Sequence, residues 1–315
     1  MQSRHRRGGA AIVPLVTASE PLPRTVLAAE VPRPQILAAL DAGTAFRLRR
    51  GAYLLGADPR RHLPAARAER RIAEARIQAV AHQLVGSFCF YGPTAALVWG
   101  LPLWRAPAQV HVVQRNVPGR GGASDLVRHR VAVVPEDLTE VSGLPVTTLE
   151  RTVLDCARVL PARDGLVVAD AALRRGADPE ELRRRSREAR SRGAVRARAV
   201  LAVADAGAES PGESVTRYAI LRHGLPAPRT QLVVATRLGA FRADMGWDEW
   251  RLLVEFDGFV KYGELAGGDP ARVLYREKRR QEAIEEEGWR ICGSPHLTCA
   301  ASSRSPTASG GWSPP

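Results

Sequence analysis

Four acidic residues in the last third of the chain have the types and spacing of a metal-dependent site that cleaves phosphodiesters. They are Glu213 on a helix, Asp244 in FRADMGW, and the pair Glu255 and Asp257 in LLVEFDGF. Two residues apart on a strand, the members of the pair share one face. An unpaired carboxylate in an apolar strand is costly, and Mg²⁺ prefers carboxylate and phosphate oxygens as ligands. The pattern predicts a Mg²⁺ ion that activates water beside a scissile phosphodiester.

Each of these acids also has a simple structural interpretation. Glu213 is the third residue after Ser210, so it completes a helix capping box. Asp244 caps a turn in this alternative, and Asp257 begins one. The pair of Glu255 and Asp257 inside an apolar strand is the hardest to explain by structure alone.

A second set of candidate residues is basic and lies near the amino end. The chain has 46 Lys and Arg against 33 Asp and Glu, a formal net charge of +13. Because guanidinium groups bind phosphate through two hydrogen bonds, an arginine-rich basic chain favours contact with a polyanion. The candidate DNA-binding residues are Arg33, Gln35, Arg47, Arg49 and Arg50. The alternative is a small structural domain with a basic hairpin.

The elements that position these arginines are a helix, a turn, a second helix and a hairpin. The first helix is short and precedes the turn at Val31, and Pro34 suits the first turn of the second helix. FRLRRGAYLL then alternates apolar and basic residues around Gly51, which predicts a two-stranded wing. A winged helix-turn-helix inserts its second helix into the major groove. Since that helix has few base-reading side chains, we expect contact with the DNA backbone.

Changes in composition and periodicity divide the chain into five parts. We expect a disordered tail, a winged helix-turn-helix, a middle α+β domain, a mixed sheet flanked by helices, and a second disordered tail. Their respective ranges are 1–23, 24–62, 63–207, 208–291 and 292–315. The fold class is thus α/β in the broad sense, α+β overall. The last tail loses all periodicity, so we expect it to be disordered and to result from a frameshift or a truncation.

An arginine-rich helix over residues 183–198 closes the middle domain. Glu180, Glu181 and Glu188 partly neutralise its charge. A run of charges on a helix is usually a solvated face, so this interpretation is favoured over a phosphate-binding surface.

The segments SPGES, FRADMGW, LLVEFDGFVKYG and EKRRQEAIEEEGWRI, over about residues 209–291, resemble the PD-(D/E)xK nuclease fold in its very-short-patch-repair-like branch. The resemblance implies a restriction-endonuclease-like domain in which Glu213, Asp244 and Glu255 bind Mg²⁺. It also implies catalysis by Asp244, Glu255, Asp257 and Lys261. In the full motif a lysine follows the second acid by two positions, whereas Asp257 stands there in this chain. Lys261 or Lys278 would then orient or deprotonate the water.

The segments VPRPQILAALDAGTAFRLRRGAYLL, YGPTAALVWGLPL and LPVTTLERTVLDCA resemble AbiEi-like antitoxins of type IV toxin–antitoxin systems. The resemblance covers about residues 24–160. It implies a winged-helix domain that binds DNA and a cognate toxin as partner.

Two main functions follow from these patterns. One is a DNA-binding protein with a metal-dependent endonuclease domain, which the acidic cluster favours. The alternative is an antitoxin-like transcriptional regulator with a catalytically inactive nuclease fold, which the displaced lysine and the unusual tail favour. A third, weaker interpretation is a non-catalytic scaffold for a toxin.

Other classes of function find no support in the sequence. No stretch approaches the ~18 apolar residues of a membrane-spanning helix. The segment GRGG at 119–122 lies between strands without a following helix, unlike a phosphate-binding loop. We therefore expect a cytoplasmic protein that has no membrane segment and binds no nucleotide cofactor.

Overall fold

The computed structural model describes residues 24–114, 123–256 and 270–293. Both predicted tails, apart from residues 292 and 293, lie outside the described residues, as do the GRGG segment, Asp257 and Lys261. The described part contains nine α-helices and three sheets, which confirms the α+β class. None of the helices in these ranges is both long and apolar enough to cross a membrane.

The N-terminal unit is a three-stranded antiparallel sheet of order β1-β3-β2 with two α-helices. Its elements are β1 (Thr25–Leu27), α1 (Arg33–Asp41), β2 (Ala45–Arg49), β3 (Ala52–Leu55), a 3₁₀ turn (Pro59–Arg61) and α2 (Ala65–Gln83). Two glycines at positive φ end α1 and close the hairpin, Gly43 at +67° and Gly51 at +73°.

The short helix predicted before Val31 is wrong, because this segment is strand β1. Thr25 pairs with Leu54 and Leu27 with Ala52, so β1 occupies the free edge of β3. A threonine followed by a valine suits a strand, and an isolated helix this short is unstable. Consequently, α1 is the one α-helix described before the hairpin.

The middle domain combines a five-stranded mixed sheet of order β6-β5-β4-β8-β7 with a layer of helices. The sheet region contains β4 (Phe88–Phe90), α3 (Gly92–Val98), β5 (Val110–Gln114), β6 (Leu126–His129), a 3₁₀ turn (Pro135–Asp137), β7 (Leu138–Val141) and β8 (Leu144–Thr147). The helices that follow are α4 (Leu149–Val159), α5 (Ala162–Arg174), α6 (Pro179–Glu188) and α7 (Ala194–Ala202).

Helix α2 belongs to the cores of both units. Ile72 and Ala79 pack with Leu48 of the N-terminal sheet, whereas Ile77 and Val80 pack against the middle sheet. The predicted boundary between residues 62 and 63 therefore falls just before an element that both units share.

A chain of buried polar contacts joins the middle sheet to its helices. Asp155, which is fully buried, accepts hydrogen bonds from Arg151 at 2.7 Å and from the hydroxyl of Tyr91. Arg151 also donates to Asp137 at 2.5 Å, and Asp137 accepts from Arg185 of α6 at the same distance. These contacts link the YGPTAAL and TLERTVLDC segments, in which the bonded Tyr91 and Asp155 are 64 residues apart in sequence.

The C-terminal unit has the order helix, three strands, helix, strand that the sequence predicts. Its elements are α8 (Pro211–Arg222), β9 (Arg229–Thr236), β10 (Gly239–Trp247), β11 (Leu252–Glu255), α9 (Pro270–Glu286) and β12 (Arg290–Gly293). The sheet order is β12-β11-β10-β9, with β11 and β12 parallel and the other pairs antiparallel. Strand β12 ends two residues inside the predicted tail.

One buried ion pair connects this unit to the middle domain. Arg217 of α8 donates to both oxygens of Asp170 on α5, at 2.6 and 2.7 Å. Their side chains are 3% and 0% exposed. Because removing one member of such a pair leaves an uncompensated buried charge, the pair fixes how α8 sits on α5.

Two histidines on neighbouring strands make stability depend on pH. Nδ1 of His111 on β5 lies 2.9 Å from Nε2 of His129 on β6. Burial, with a smaller contribution from His129, lowers the pKa of His111 to about 4, and burial also lowers the pKa of His129. Unfolded histidine titrates near pH 6.5, so between about pH 4 and 6.5 the unfolded chain binds more protons. The contribution of these histidines to stability is therefore complete above about pH 6.5 and is lost as the pH drops through this window.

We expect the substitution His111→Gln to flatten this dependence. Urea unfolding should show that the wild type loses about 1–2 kcal/mol more than the variant between pH 7 and pH 5. The exposed His62 provides the control, and His62→Gln should keep the wild-type profile. Equal pH profiles for the wild type and His111→Gln would contradict the assignment.

Candidate nucleic-acid interface

The N-terminal unit carries an excess of positive charge on a small surface. Residues 24–83 contain eleven arginines against five acids. Arg33 and Gln35 are exposed in the first turn of α1, Arg47 is exposed on β2, and Arg50 is exposed in the hairpin turn. The structure thus brings four of the five predicted DNA-binding residues to the surface on α1 and the hairpin.

The side chains of three of these arginines have no ion-pair partner within the described ranges. Arg33, Arg47 and Arg50 make no side-chain hydrogen bond or salt bridge there. Their guanidinium groups therefore keep all their donors for an external anion such as phosphate. We call Arg33, Arg47 and Arg50 the hairpin arginines, although Arg33 lies on the neighbouring α1.

Arg49 differs from the other predicted residues. Its Nε lies 2.8 Å from Oδ2 of Asp125, and its side chain is only 9% exposed. The register of β2 against β3 shifts between Arg47 and Arg49, and Arg49 lies against Asp125 whereas Arg47 is exposed. Arg49 connects the hairpin to the loop before β6 and therefore has a structural role.

The hairpin turn is held from a second side. Nε2 of Gln83, at the end of α2, donates to the carbonyl oxygen of Arg50 at 3.1 Å. Two contacts from the middle domain and α2 therefore hold the turn that carries Arg50. Such preorganisation reduces the ordering cost of binding.

The sequence reasoning missed other exposed arginines of this unit, of which Arg61 is one. Arg61, in the 3₁₀ turn after the hairpin, has no ion-pair partner in the described part of the chain. Its neighbour Arg60 lies near Asp58 and donates to Glu69 at 3.1 Å. What distinguishes the two arginines is their distance from acids. Arg60 lies within reach of Asp58 and Glu69, and Arg61 has no such partner in the described part of the chain.

The acids of the C-terminal unit begin with Glu213, which completes the start of α8. The hydroxyl of Ser210 accepts from the amide of Glu213 at 3.2 Å, and the Glu213 carboxylate accepts from the amide of Glu209 at 2.8 Å. Burial raises the pKa of Glu213, and the charge of Asp244 nearby adds to that effect. Glu213 therefore serves as a helix cap and lies close to Asp244.

Asp244 and Glu255 face each other on β10 and β11. The register pairs Met245 with Val254, which places Asp244 across from Glu255. The Asp244 carboxylate accepts from the amide of Phe256 at 2.8 Å. The structure thus brings Glu213 and Asp244 near each other and sets Glu255 opposite Asp244.

Glu255 already has a cationic partner. Both of its carboxylate oxygens accept from Arg280 of α9, one of them from Nη1 at 3.0 Å. Arg280 also donates to Glu277 at 2.8 Å. A two-pronged contact of this kind neutralises the carboxylate and fixes its orientation.

The acids within the described ranges do not form a metal-binding cluster by themselves. No group of three or more Asp, Glu, His or Cys within the described ranges could hold a metal ion. Arg280 occupies the oxygens of Glu255 that a cation would need. Asp257 and Lys261 lie outside the described residues, so their catalytic roles stay predictions, whereas Lys278 is exposed near Glu282.

We expect Arg280→Met and Glu255→Gln each to lower the free energy of unfolding by about 1–3 kcal/mol, because each leaves a partly buried partner without its charged hydrogen bonds. The double variant should cost less than the sum of the two, as measured by urea unfolding. Addition of Mg²⁺ should leave the melting temperature of the wild type unchanged. Mg²⁺-dependent nicking of DNA that Asp244→Ala and Glu255→Gln both abolish would contradict this assignment.

Comparisons with known proteins match the middle of the chain to one family. Residues 86–203, which run from β4 to α7 with their flanking residues, match the model of the AbiEi antitoxin C-terminal domain. The buried contacts among Tyr91, Asp137, Arg151, Asp155 and Arg185 all lie within this match. The solved crystal structure of the RV2827C protein from Mycobacterium tuberculosis aligns with a TM-score of 0.36 and 16% identity, covering 62% of this chain and 76% of that one.

Two curated relatives come from strains of Mycobacterium tuberculosis. They are the uncharacterized protein MT2308 of strain CDC 1551 and the uncharacterized protein Rv2248 of strain H37Rv. Each is 34% identical over 201 residues, which cover 63% of this chain and 70% of the relative. The chain belongs to the same family as these two mycobacterial proteins and is AbiEi-like over residues 86–203.

Proposed function

We propose that this protein is a DNA-binding regulator of the antitoxin type, whose N-terminal unit binds the phosphate backbone of DNA. The observation that carries the proposal is the set of exposed hairpin arginines, Arg33, Arg47 and Arg50, which have no acidic partner in the described ranges. The AbiEi-like segment supports the antitoxin class and a cognate toxin as protein partner.

The chemistry of α1 favours contacts to phosphate over reading of bases. In its sequence RPQILAALD, only Arg33 and Gln35 precede the apolar stretch and can hydrogen-bond to DNA from the first turn. Gln35 is the one uncharged polar side chain of the helix, so at most one amide is present to bind an adenine edge. Contacts to phosphate position a protein on the duplex but carry no sequence information directly.

The C-terminal unit is non-catalytic in this proposal. What supports this part is the contact of Glu255 with Arg280, which uses the carboxylate that the sequence assigns to Mg²⁺. The arrangement of one helix, three strands, a helix and a strand agrees with a nuclease-like fold that serves as a scaffold. Endonuclease activity itself stays a prediction from the sequence.

We expect the affinity for duplex DNA to fall steeply with salt, since each neutralised phosphate releases counterions. Fluorescence anisotropy with a labelled duplex gives the slope of log K against log salt. The single variants Arg47→Gln and Arg50→Gln should each reduce the magnitude of this slope by about 0.9.

Arg60→Gln is the matched control for these variants, because Arg60 lies in the same unit but is already bound to Glu69. Its slope should stay close to that of the wild type. A wild-type affinity that is flat with salt, or an equal loss of slope in all three variants, would contradict backbone binding by the hairpin arginines.

A further inference from the structure

The arginine-rich segment divides into two sets in the structure, although it is continuous in sequence. The first set, on α6, is neutralised by acids. Arg183 pairs with Glu180, Arg184 pairs with Glu181 and Glu188, and Arg185 pairs with Glu181 and Asp137. For these three arginines the structure agrees with the prediction of a charged helix face that acids partly neutralise.

The second set surrounds the turn between α6 and α7. Five arginines line a concavity of about 750 Å³ there, and we call this the α6–α7 cavity. They are Arg187, Arg190, Arg192, Arg196 and Arg198. The other lining residues are alanine, serine, glycine and valine, so the described lining includes neither an acid nor an aromatic ring.

The charges of this second set are not neutralised by any described acid. Arg196 and Arg198 donate to the carbonyl oxygens of Leu160 and Ala189, at 3.0 and 3.2 Å, which holds their side chains but leaves the charge in place. Arg187 and Arg192 are exposed, and their side chains make no contact of this kind within the described ranges. Five like charges in one concavity raise the local positive potential and attract an anion.

The turn that carries these arginines is a fixed support. Gly193 has a φ of +82°, and a Cβ at this position would lie 2.3 Å from the carbonyl oxygen of Arg158 on α4. The turn therefore packs directly on the backbone of α4. Helix α7 begins at Ala194 and directs the positive end of its dipole to the same place.

We infer that the α6–α7 cavity is a second contact site for the phosphate backbone of duplex DNA. The lack of aromatic rings in the lining argues against stacking of exposed bases, and the absence of acids argues for the phosphates themselves. The small side chains of Ala189 and Ser191 in the lining leave room for a DNA backbone to approach. This inference rests on the proposed function and extends the DNA contact from the N-terminal unit into the AbiEi-like domain.

Two double variants test the inference, because the chain provides a matched control a few residues away. Arg190→Gln with Arg192→Gln removes two charges from the cavity, and Arg183→Gln with Arg184→Gln removes two exposed charges that acids already neutralise. In the anisotropy experiment the cavity variant should reduce the magnitude of the salt slope by about 1.8, or 0.9 for each phosphate contact. The control variant should reduce it by less than half of that, and thermal melting should confirm that both variants are folded.

The outcomes separate this inference from the proposed function. If the cavity variant keeps the wild-type slope while Arg47→Gln loses part of it, the cavity is not a DNA site and the proposed function stands. If the wild type does not bind DNA, both are overturned. A third arm uses sodium tripolyphosphate at matched ionic strength. If tripolyphosphate raises the melting temperature of the wild type but not that of the cavity variant, and the cavity variant binds DNA like the wild type, the cavity binds a free phosphate ligand. That outcome would overturn the DNA contact.

Discussion

The scarcity of acids relative to arginines is the constraint on which the rest of the structure depends. With 33 acids against 46 basic residues, the carboxylates are too few to pair one to one with the arginines and lysines. The most deeply buried acids, Asp155 and Asp170, are paired with arginines inside the fold, where an uncompensated charge costs most. Two groups of arginines without a described acid partner are the hairpin arginines and those of the α6–α7 cavity. Where the fold places its acids thus decides where the protein can bind an anion.

The same pairs hold the units in position. Arg49 and Asp125 join the hairpin to the middle sheet, and Arg217 and Asp170 join α8 to α5. Ion pairs with little solvent exposure contribute less to net stability than to a specific arrangement, because their attraction must first offset desolvation. In this protein they keep the hairpin arginines on a fixed support. Binding a phosphate backbone therefore requires little ordering of the protein.

The sequence predicts those features of the fold that depend on local pattern. The alternation of apolar and polar residues predicts the element order of the C-terminal unit, and the hairpin around Gly51 follows from its flanking residues. Strand β1 could not be predicted, because its partner β3 lies about 27 residues further along the chain. The same limit applies to the site. The apolar neighbours of Glu255 indicate that its carboxylate needs a cationic partner. The packing of α9 on the sheet makes Arg280 that partner, and the local sequence around Glu255 does not reveal this. Likewise, no local sequence pattern distinguishes Arg49, which pairs with Asp125, from the exposed Arg47 and Arg50 beside it.

Hydrogen–deuterium exchange of the full chain, with and without duplex DNA, tests the central claim most directly. Backbone amides in α1, in the β2–β3 hairpin and in the turn between α6 and α7 should exchange more slowly when DNA is bound. Amides in the acid-paired first turns of α6 and in β9 to β11 should exchange at the same rate in both states. Protection confined to the C-terminal unit, or no protection on the hairpin, would contradict the claim that arginines without acid partners form the binding surface.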